Sequence, residues 1–297
     1  MIRRESPKIP LAFLLLLTVL GSALAFLPPP TFASVGCGTT IWANTNLAAN
    51  IGPCSGNALV MGHSGITLNC AGHTVNGEGT HVGITLAGRT RVTVENCIVA
   101  GFQYGIRLSN SSGNTFIGDK ANSNLIGFYL SGSSHNTLMG DAASGNSGYG
   151  FFLYSSSNEN VLNASAANAN VNGIMVRSSF GNIISGNTAN ANVNGIELLH
   201  SSNNTIIKDV SHFNSGNGFE LDYCNNNNLT KDTARINAII GFYVYDSSGN
   251  RLIGDTSNGN GVYGYYDTST GSGTAGTANF YSSDAGSNNG VQQQRLL

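Results

Sequence analysis

Charged residues and long apolar runs are both scarce in this sequence. Only 9% of its 297 residues are charged, 13 basic and 15 acidic, and they form no basic cluster that could neutralise a phosphate backbone. Nucleic acid is therefore excluded as a partner, and an anionic membrane surface is disfavoured for the same reason. After residue 33 there is no further apolar stretch long enough to indicate a membrane span.

Residues 1–33 differ from the rest of the chain and are predicted to be a signal peptide. Basic residues precede an apolar run over residues 9–26, and small residues that suit cleavage end at Ala25 and Ala33. The apolar run is nearly long enough to span a bilayer, so an uncleaved N-terminal anchor is the alternative. We expect an exported protein that is periplasmic, secreted or held at the cell surface.

Five cysteines in an exported chain indicate at least one disulfide. Cys37 and Cys54 bracket a short segment ahead of the repeats, and we predict that they are paired. Cys70 and Cys97 either form a second pair or fill interior positions, and Cys224 is left over.

A repeat of 22 or 23 residues dominates the chain. Each copy has a glycine followed by an apolar residue, a variable residue and a second apolar residue. This alternation is typical of a short strand with one buried face, so a strand is predicted at each glycine. We call these the Gly-led strands. Their glycines are Gly83, Gly105, Gly127, Gly150, Gly173, Gly195, Gly218, Gly241 and Gly264.

Two columns of asparagine separate further apolar columns in each repeat. Asparagine suits bends because it tolerates left-handed backbone angles and its amide both donates and accepts hydrogen bonds. Three short inward-facing segments per repeat are therefore predicted, with successive repeats stacked as parallel strands about 4.8 Å apart. The first column is Asn114, Asn136, Asn160, Asn182, Asn204, Asn227 and Asn250; the second is Asn124, Asn146, Asn170, Asn192, Asn214, Asn237 and Asn260.

The repeat predicts an all-β fold, a single-stranded right-handed parallel β-helix with three short strands in each of about 10 coils. The helix is predicted over residues 65–267. Residues 34–64 and 268–297 are predicted to be N-terminal and C-terminal caps, since the open strand edges of a solenoid have to be covered. A leucine-rich horseshoe does not fit, because its strand signature is missing.

Three segments carry a family resemblance: residues 65–75 (GITLNCAGHTV), 172–179 (NGIMVRSS) and 182–187 (NIISGN). They resemble the opening coil and the later repeats of NosD-like right-handed β-helix proteins, within the superfamily that resembles pectin lyase. The superfamily includes polysaccharide lyases, glycoside hydrolases, uronate epimerases, carbohydrate-binding modules and a periplasmic copper-maturation factor. No catalytic motif of the pectinases or alginate epimerases is present, so the resemblance assigns no catalytic residue.

The outward positions of the Gly-led strands are rich in aromatic residues and arginine. Strand alternation sends the residues two and four positions after each glycine to one face, which we call the Gly-led face. Aromatic rings can stack on sugars and arginine can pair with uronate or sulfate groups, so a polysaccharide ligand is predicted. The alternative is that aromatic residues simply stack well along a parallel sheet. The candidate binding residues are Arg107, Tyr129, Tyr154, Arg177, Tyr243 and Tyr245.

The same face carries a group of carboxylates. Glu197 and Glu220 occupy one column in adjacent repeats, and Asp222 follows on the second strand. Two crowded carboxylates cannot both ionise cheaply, so one pKa is expected to rise, as acid–base catalysis requires. These three residues are the candidate catalytic group of a lyase, hydrolase or epimerase, and the alternative is that exposed glutamates splay into water.

A column of aspartates at one bend is a candidate calcium site. Asp209, Asp232 and Asp255 lie in consecutive repeats, and carboxylate oxygens in a row could bind Ca²⁺. Asn187 occupies the equivalent position one repeat earlier, which favours the alternative of turn capping.

These patterns lead to three hypotheses of function. The first is a monomeric exported protein, with no required cofactor, that binds or modifies a polysaccharide or cell-envelope glycan. The second, implied by the family resemblance, is a periplasmic factor for copper-centre maturation that works with a membrane transporter. Copper prefers imidazole and sulfur ligands, and three histidines in the first coils, His63, His73 and His81, could converge. The third is a structural surface rod.

Overall fold

The computed structural model describes residues 35–290 and the backbone of Arg295–Leu296, so the predicted signal peptide lies outside the described residues. The described chain is a right-handed parallel β-solenoid of about 10 turns, which confirms the predicted fold class. Its one helical element is a 3₁₀ turn at Thr274–Gly276. Within these residues no helix is long and apolar enough to cross a membrane.

The nine Gly-led strands and three others form one sheet of twelve parallel strands. Ile106 pairs in register with Ile84 on one side and Phe128 on the other, so inward side chains stack on inward side chains. The strands are Thr39–Ile41, Leu59–Met61, Val82–Ala87, Tyr104–Ser109, Ile126–Ser131, Tyr149–Tyr154, Asn172–Arg177, Asn194–Leu199, Phe219–Asp222, Ile240–Tyr245, Tyr263–Asp267 and Arg295–Leu296.

A second sheet of eleven strands forms the next side of the solenoid. Its central residues, such as Leu162 and Ile184, point inward in register. The strands are Thr45–Asn46, Thr67–Asn69, Thr93–Glu95, Thr115–Ile117, Thr137–Met139, Val161–Asn163, Ile183–Ser185, Thr205–Ile207, Asn228–Thr230, Arg251–Ile253 and Phe280–Ser282.

The third side is continuous only near the two ends. Between its two four-stranded sheets the middle coils are joined by single bridges at Ala142, Ala166 and Thr188, so the predicted third strand shrinks there to one residue. The strands of the first sheet are Ile51–Cys54, Thr74–Gly77, Ile98–Ala100 and Lys120–Asn122; those of the second are Val210–His212, Thr233–Arg235, Thr256–Asn258 and Ala285–Ser287.

The sheets extend past the predicted limits of residues 65–267 at both ends. Thr39–Ile41 already pairs with Leu59–Met61, and Phe280–Ser282 pairs with Arg251–Ile253. The segments predicted to be caps are therefore irregular coils of the solenoid itself. Their inward residues, such as Ile41 and Leu59, keep the packing although the glycine signature is missing.

The core is a stack of apolar side chains enclosed by the coils. Phe128 lies on Phe151 with ring centroids 4.8 Å apart, and Phe219, Phe242 and Tyr265 continue the stack farther along at 4.7 and 5.0 Å. Each of these rings is almost fully buried, and a buried Phe side chain contributes about 1.5–3 kcal/mol of hydrophobic free energy. Stacking like residues thus fixes the register of the coils.

Each bend combines one residue in the left-handed region with one buried polar residue. Glu159, at φ +54°, precedes Asn160, whose Oδ1 accepts the backbone N–H and an amide proton of Asn136 in the preceding coil. The expectation that the column asparagines adopt left-handed angles is therefore wrong. The residue before it makes the turn, and the asparagine satisfies buried backbone groups at the same bend of the preceding coil.

All five cysteines lie inside the described part. Disulfides join Cys37 to Cys54 and Cys70 to Cys97. Cys224 is buried and replaces serine in a polar column, where its sulfur accepts the backbone N–H of Ser201 at 3.4 Å. The first pair is the one predicted, whereas the sequence left the second open.

Candidate functional site

The Gly-led face is a continuous outward column on the long sheet. Residues two positions after each glycine pair in register from coil to coil, so the column has a fixed order along the solenoid. It runs Arg107, Tyr129, Phe152, Met175, Glu197, Glu220, Tyr243 and Tyr266. Aromatic residues therefore lie on both sides of the two carboxylates, with Met175 between Phe152 and Glu197 and with Arg107 beyond Tyr129.

The first aromatic group lies over three adjacent coils, and we call it the upstream cluster. Tyr129 is 5.1 Å from Tyr104 and 5.5 Å from Phe152, measured between ring centroids. Phe152 also stacks on Tyr149 at 4.6 Å and contacts Tyr154 at 5.4 Å. The cluster is half-buried, so ring surface remains available to a ligand.

The two predicted arginines both stand over rings of the upstream cluster. The guanidinium carbon of Arg107 is 5.4 Å from the centroid of Tyr104, and that of Arg177 is 5.9 Å from the centroid of Tyr154. Such cation–π contacts hold the guanidinium groups at the edge of the face.

A second aromatic group, the downstream cluster, lies on the other side of the carboxylates. Tyr243 is 5.8 Å from Tyr266 and 6.2 Å from Tyr245, and Tyr266 stacks on Tyr263 at 4.9 Å. Tyr245 is exposed and also meets Tyr223 edge-on.

Between the clusters, Glu197 and Glu220 are held by a ladder of asparagine amides. Oε2 of Glu197 accepts hydrogen bonds from Nδ2 of Asn172 at 2.5 Å and of Asn194 at 3.2 Å. Oε2 of Glu220 accepts from Nδ2 of Asn194 at 2.9 Å and of Asn217 at 3.1 Å. Asn194 therefore bridges both carboxylates, and the glutamates do not splay into water.

Partial burial raises the pKa of both glutamates. Desolvation is the largest cause for each, while the hydrogen bonds from the asparagines act in the opposite direction. The charge of Glu197 further raises the pKa of Glu220. The pKa values are raised, as expected for crowded carboxylates. Burial contributes more to the rise than the repulsion between the two carboxylates from which it was predicted.

Asp222 lies beside this pair in the next outward column. Desolvation raises the pKa of Asp222, the nearby His200 lowers it and the charge of Asp246 raises it. Its Oδ1 is buried without a hydrogen-bond partner among the described residues. The three candidate catalytic residues thus lie on one patch of two adjacent strands.

Sequence reasoning missed the asparagine ladder. Asn172, Asn194 and Asn217 immediately precede three consecutive column glycines, a position that holds tyrosine at Tyr104 and Tyr149. The switch from tyrosine to asparagine in the coils next to the two glutamates was the available signal.

The candidate calcium ligands lie inside the solenoid. Asp209, Asp232 and Asp255 are fully buried, and one oxygen of each accepts the backbone N–H of the preceding coil at 2.6–2.7 Å. These contacts to backbone N–H groups are the ones that turn capping requires. Burial raises the pKa of Asp209 and Asp255 to about 7, so these groups are poorly suited to supply charge to a cation.

The histidines and cysteines do not assemble the donor set that copper requires. No group of three or more His, Cys, Asp or Glu residues that could hold a metal occurs in the described part. His63 and His81 contact their own neighbours Ser64 and Thr80, and four cysteines are in disulfides. The residues therefore do not fit a copper site.

Two protein-family models match long parts of the chain. The family model for the right-handed β-helix region matches residues 57–211, more than half of the chain. The chain belongs to the right-handed β-helix family. The model of the periplasmic copper-binding protein NosD matches residues 156–290 of this β-helix protein, which confirms the resemblance seen in the repeats. No curated protein sequence matches the chain.

Solved structures with this fold include several enzymes that are named for activity on a polysaccharide. The A-module of mannuronan C-5 epimerase AlgE6 from Azotobacter vinelandii has a TM-score of 0.63 at 15% identity, covering 88% of either chain. The periplasmic alginate epimerase AlgG has a TM-score of 0.56 at 15% identity, covering 75% of this chain and 64% of its own. Pectate lyase Pel9A has a TM-score of 0.53 at 20% identity, covering 80% and 69%.

At these low sequence identities the comparisons establish a shared fold but no shared activity or substrate. The β-helix protein also spans less than two thirds of the length of AlgG.

Proposed function

We propose that this exported β-helix protein binds a polysaccharide or cell-envelope glycan along the Gly-led face. The observation that carries the proposal is the order of the outward column, in which two aromatic clusters flank a central carboxyl pair. A long sugar chain laid along the solenoid would meet ring faces at both ends and hydrogen-bonding groups between them. Two of the fold neighbours are named as an alginate epimerase and a pectate lyase, and this accords with a glycan ligand.

Chemistry on the bound glycan would use the central carboxyls. Glu197 and Glu220 are fixed by amide donors and have raised pKa values, which is the direction that acid–base catalysis requires. Asp222 is the third candidate. We assign the pair the acid and base roles of a lyase, hydrolase or epimerase, and Glu→Gln substitution at either position should abolish turnover while the fold is retained.

The downstream cluster offers the most direct test of binding. A glycan array with the purified protein identifies a ligand, and calorimetry then compares the Tyr243→Ala/Tyr245→Ala variant with the wild type. We expect binding to weaken by about 1–3 kcal/mol without a change in fold, because both side chains point away from the core. Phe280→Ala is the control, since Phe280 is an exposed aromatic residue on a different sheet. Unchanged affinity in the tyrosine variant would place the ligand elsewhere.

A second candidate function is a NosD-like role in copper-centre maturation, which the family match over residues 156–290 favours. Because the described residues do not fit a copper site, this role would depend on a partner protein such as a membrane transporter. Affinity purification from the native periplasm tests it: a co-purifying transporter together with a negative glycan array favours the second candidate. A negative result in both experiments favours a structural rod.

A further inference from the structure

The centre of the Gly-led face is acidic, and this acidity bears on which glycan it can hold. Among the outward residues of strands Asn172–Arg177, Asn194–Leu199 and Phe219–Asp222, three are acidic and Arg177 alone is basic. Arg177 lies toward the upstream cluster, over the ring of Tyr154. The face therefore presents negative charge between the two aromatic clusters.

The amide that bridges the two glutamates, that of Asn194, has no free donor. Asn194 uses both amide protons on carboxylates, one on Glu197 and one on Glu220. Its Oδ1 accepts the backbone N–H of Asn217 at 3.0 Å, so its side chain is fully engaged within the protein. The bridging amide has nothing left to offer an anionic ligand.

Acceptors remain free at the same place. Each glutamate is held through Oε2 only, and Oε1 of Glu197 and of Glu220 has no hydrogen-bond partner among the described residues. Neither atom belongs to the buried atoms that lack a partner, so both reach solvent. Because the two residues pair in register, their backbones lie on adjacent coils about 4.8 Å apart.

An ammonium group carries three donors and no acceptor, and it is complementary to such a centre in both charge and hydrogen bonding. A uronate carboxylate would be repelled by Glu197, Glu220 and Asp222 and would find no donor on the bridging amide. The aromatic clusters provide a second, uncharged feature of the face. Their rings can stack on sugar rings on both sides of the two glutamates.

We propose that the Gly-led face binds a glycan with free amino groups, whose ammonium groups lie over Glu197 and Glu220 while its rings stack on the flanking aromatic clusters. This inference rests on the proposed glycan function. It separates the protein by substrate class from its fold neighbours named for alginate and pectate. An ammonium group would also bind the free Oε1 atoms of Glu197 and Glu220, to which Arg107 and Arg177 donate no hydrogen bond.

The test compares three oligosaccharides of equal length: oligomers of glucosamine, of N-acetylglucosamine and of a hexuronic acid. Each is titrated into the purified protein by calorimetry at slightly acidic pH, where the amines are protonated, at low and at high salt. We expect the glucosamine oligomer to bind at least about tenfold more tightly than the other two, a difference of about 1.4 kcal/mol. Added salt should reduce this preference.

The carboxylates are then removed without changing the shape of the side chains. Glu197→Gln/Glu220→Gln should lose the preference, so that the glucosamine oligomer binds this variant no more tightly than the N-acetylated oligomer does. Glu159→Gln is the control, because Glu159 is an exposed glutamate that pairs with His135 at a bend. Thermal melting establishes that all variants are folded.

Equal affinity for the amino and N-acetylated oligomers, or tightest binding of the uronate, would overturn the amino-glycan proposal. Either result leaves the glycan function standing, provided that Tyr243→Ala/Tyr245→Ala weakens the binding. If none of the three binds and the glycan array is also negative, the proposed function fails as well, and this inference fails with it.

Discussion

Replacement of the buried acid Asp209 by asparagine should stabilise the solenoid at neutral pH and leave it unchanged in acid. Oδ1 of Asp209 accepts the backbone N–H of Asn187 at 2.6 Å and its amide at 2.9 Å, whereas Oδ2 is buried without a partner. An asparagine keeps the first oxygen as acceptor and places a donor where Oδ2 lies. Asn187 already uses such a donor to reach the carbonyl of Leu162 at 3.0 Å.

The magnitude follows from the pKa. Desolvation raises the pKa of Asp209 from 3.8 to about 7 in the folded protein. Well below the ordinary pKa of 3.8 the folded and unfolded states are both protonated and there is no penalty, and at pH 4 the penalty is still below about 1 kcal/mol. As the pH rises toward 7 the unfolded state ionises first, and folding stability is lost until the folded group also ionises. The difference between 3.8 and about 7 corresponds to about 4 kcal/mol, because each pKa unit is worth about 1.4 kcal/mol.

Urea unfolding followed by far-ultraviolet circular dichroism, at pH 4 and pH 7, measures this difference. We expect Asp209→Asn to gain up to about 4 kcal/mol over the wild type at pH 7 and less than about 1 kcal/mol at pH 4. Asp246→Asn removes the same charge from an exposed bend and controls for net charge. An equal effect of Asp209→Asn at both pH values, or a loss of stability at pH 7, would refute the account of a buried neutral acid.

Two further predictions concern the ladder and the N-terminal coil. Asn182→Leu should lower the free energy of unfolding by about 1–3 kcal/mol, because the buried N–H and amide of Asn160 lose their acceptor and Oδ1 of Asn204 loses one of its donors. Asn228→Leu, in an outward column that elsewhere holds Ile183, should have little effect in thermal melting. Cys37→Ser/Cys54→Ser should cost about 3 kcal/mol in the chain-entropy model for a separation of 17 residues, and non-reduced peptide mapping that finds either thiol joined elsewhere would contradict the pairing.

The repeat was sufficient to predict the fold because its columns encode inward and outward positions directly. A glycine followed by alternating apolar residues fixes the Gly-led strand, and the buried columns could be assigned from spacing alone. The bends were harder. The left-handed position is held by residues as different as Glu159, Lys208 and Ile236, whose types give little local signal. The buried asparagine beside them drew attention to the wrong residue.

The site was predictable in its location and not in its internal contacts. Strand alternation placed Glu197 and Glu220 on one face in adjacent coils, as the register shows. Whether two such carboxylates separate into solvent or are held together depends on neighbours from other coils. Asn172 lies 25 residues before Glu197, so only the stacking of coils makes it a neighbour. The aspartates proposed as calcium ligands, Asp209, Asp232 and Asp255, lie in the core, and the spacing of the repeat alone did not show this burial.

Asn194 connects the stability of the solenoid to the geometry of the candidate site. Its Oδ1 holds the backbone of Asn217 in the next coil, and its Nδ2 holds both glutamates. A change at Asn194 would therefore disturb coil stacking and carboxylate position together, and its effect could not be attributed to either. Substitution of Glu197 or Glu220 by glutamine leaves the backbone contact to Asn217 in place. For that reason the glutamates, rather than the asparagines that position them, are the residues at which chemistry and ligand charge can be tested separately from folding.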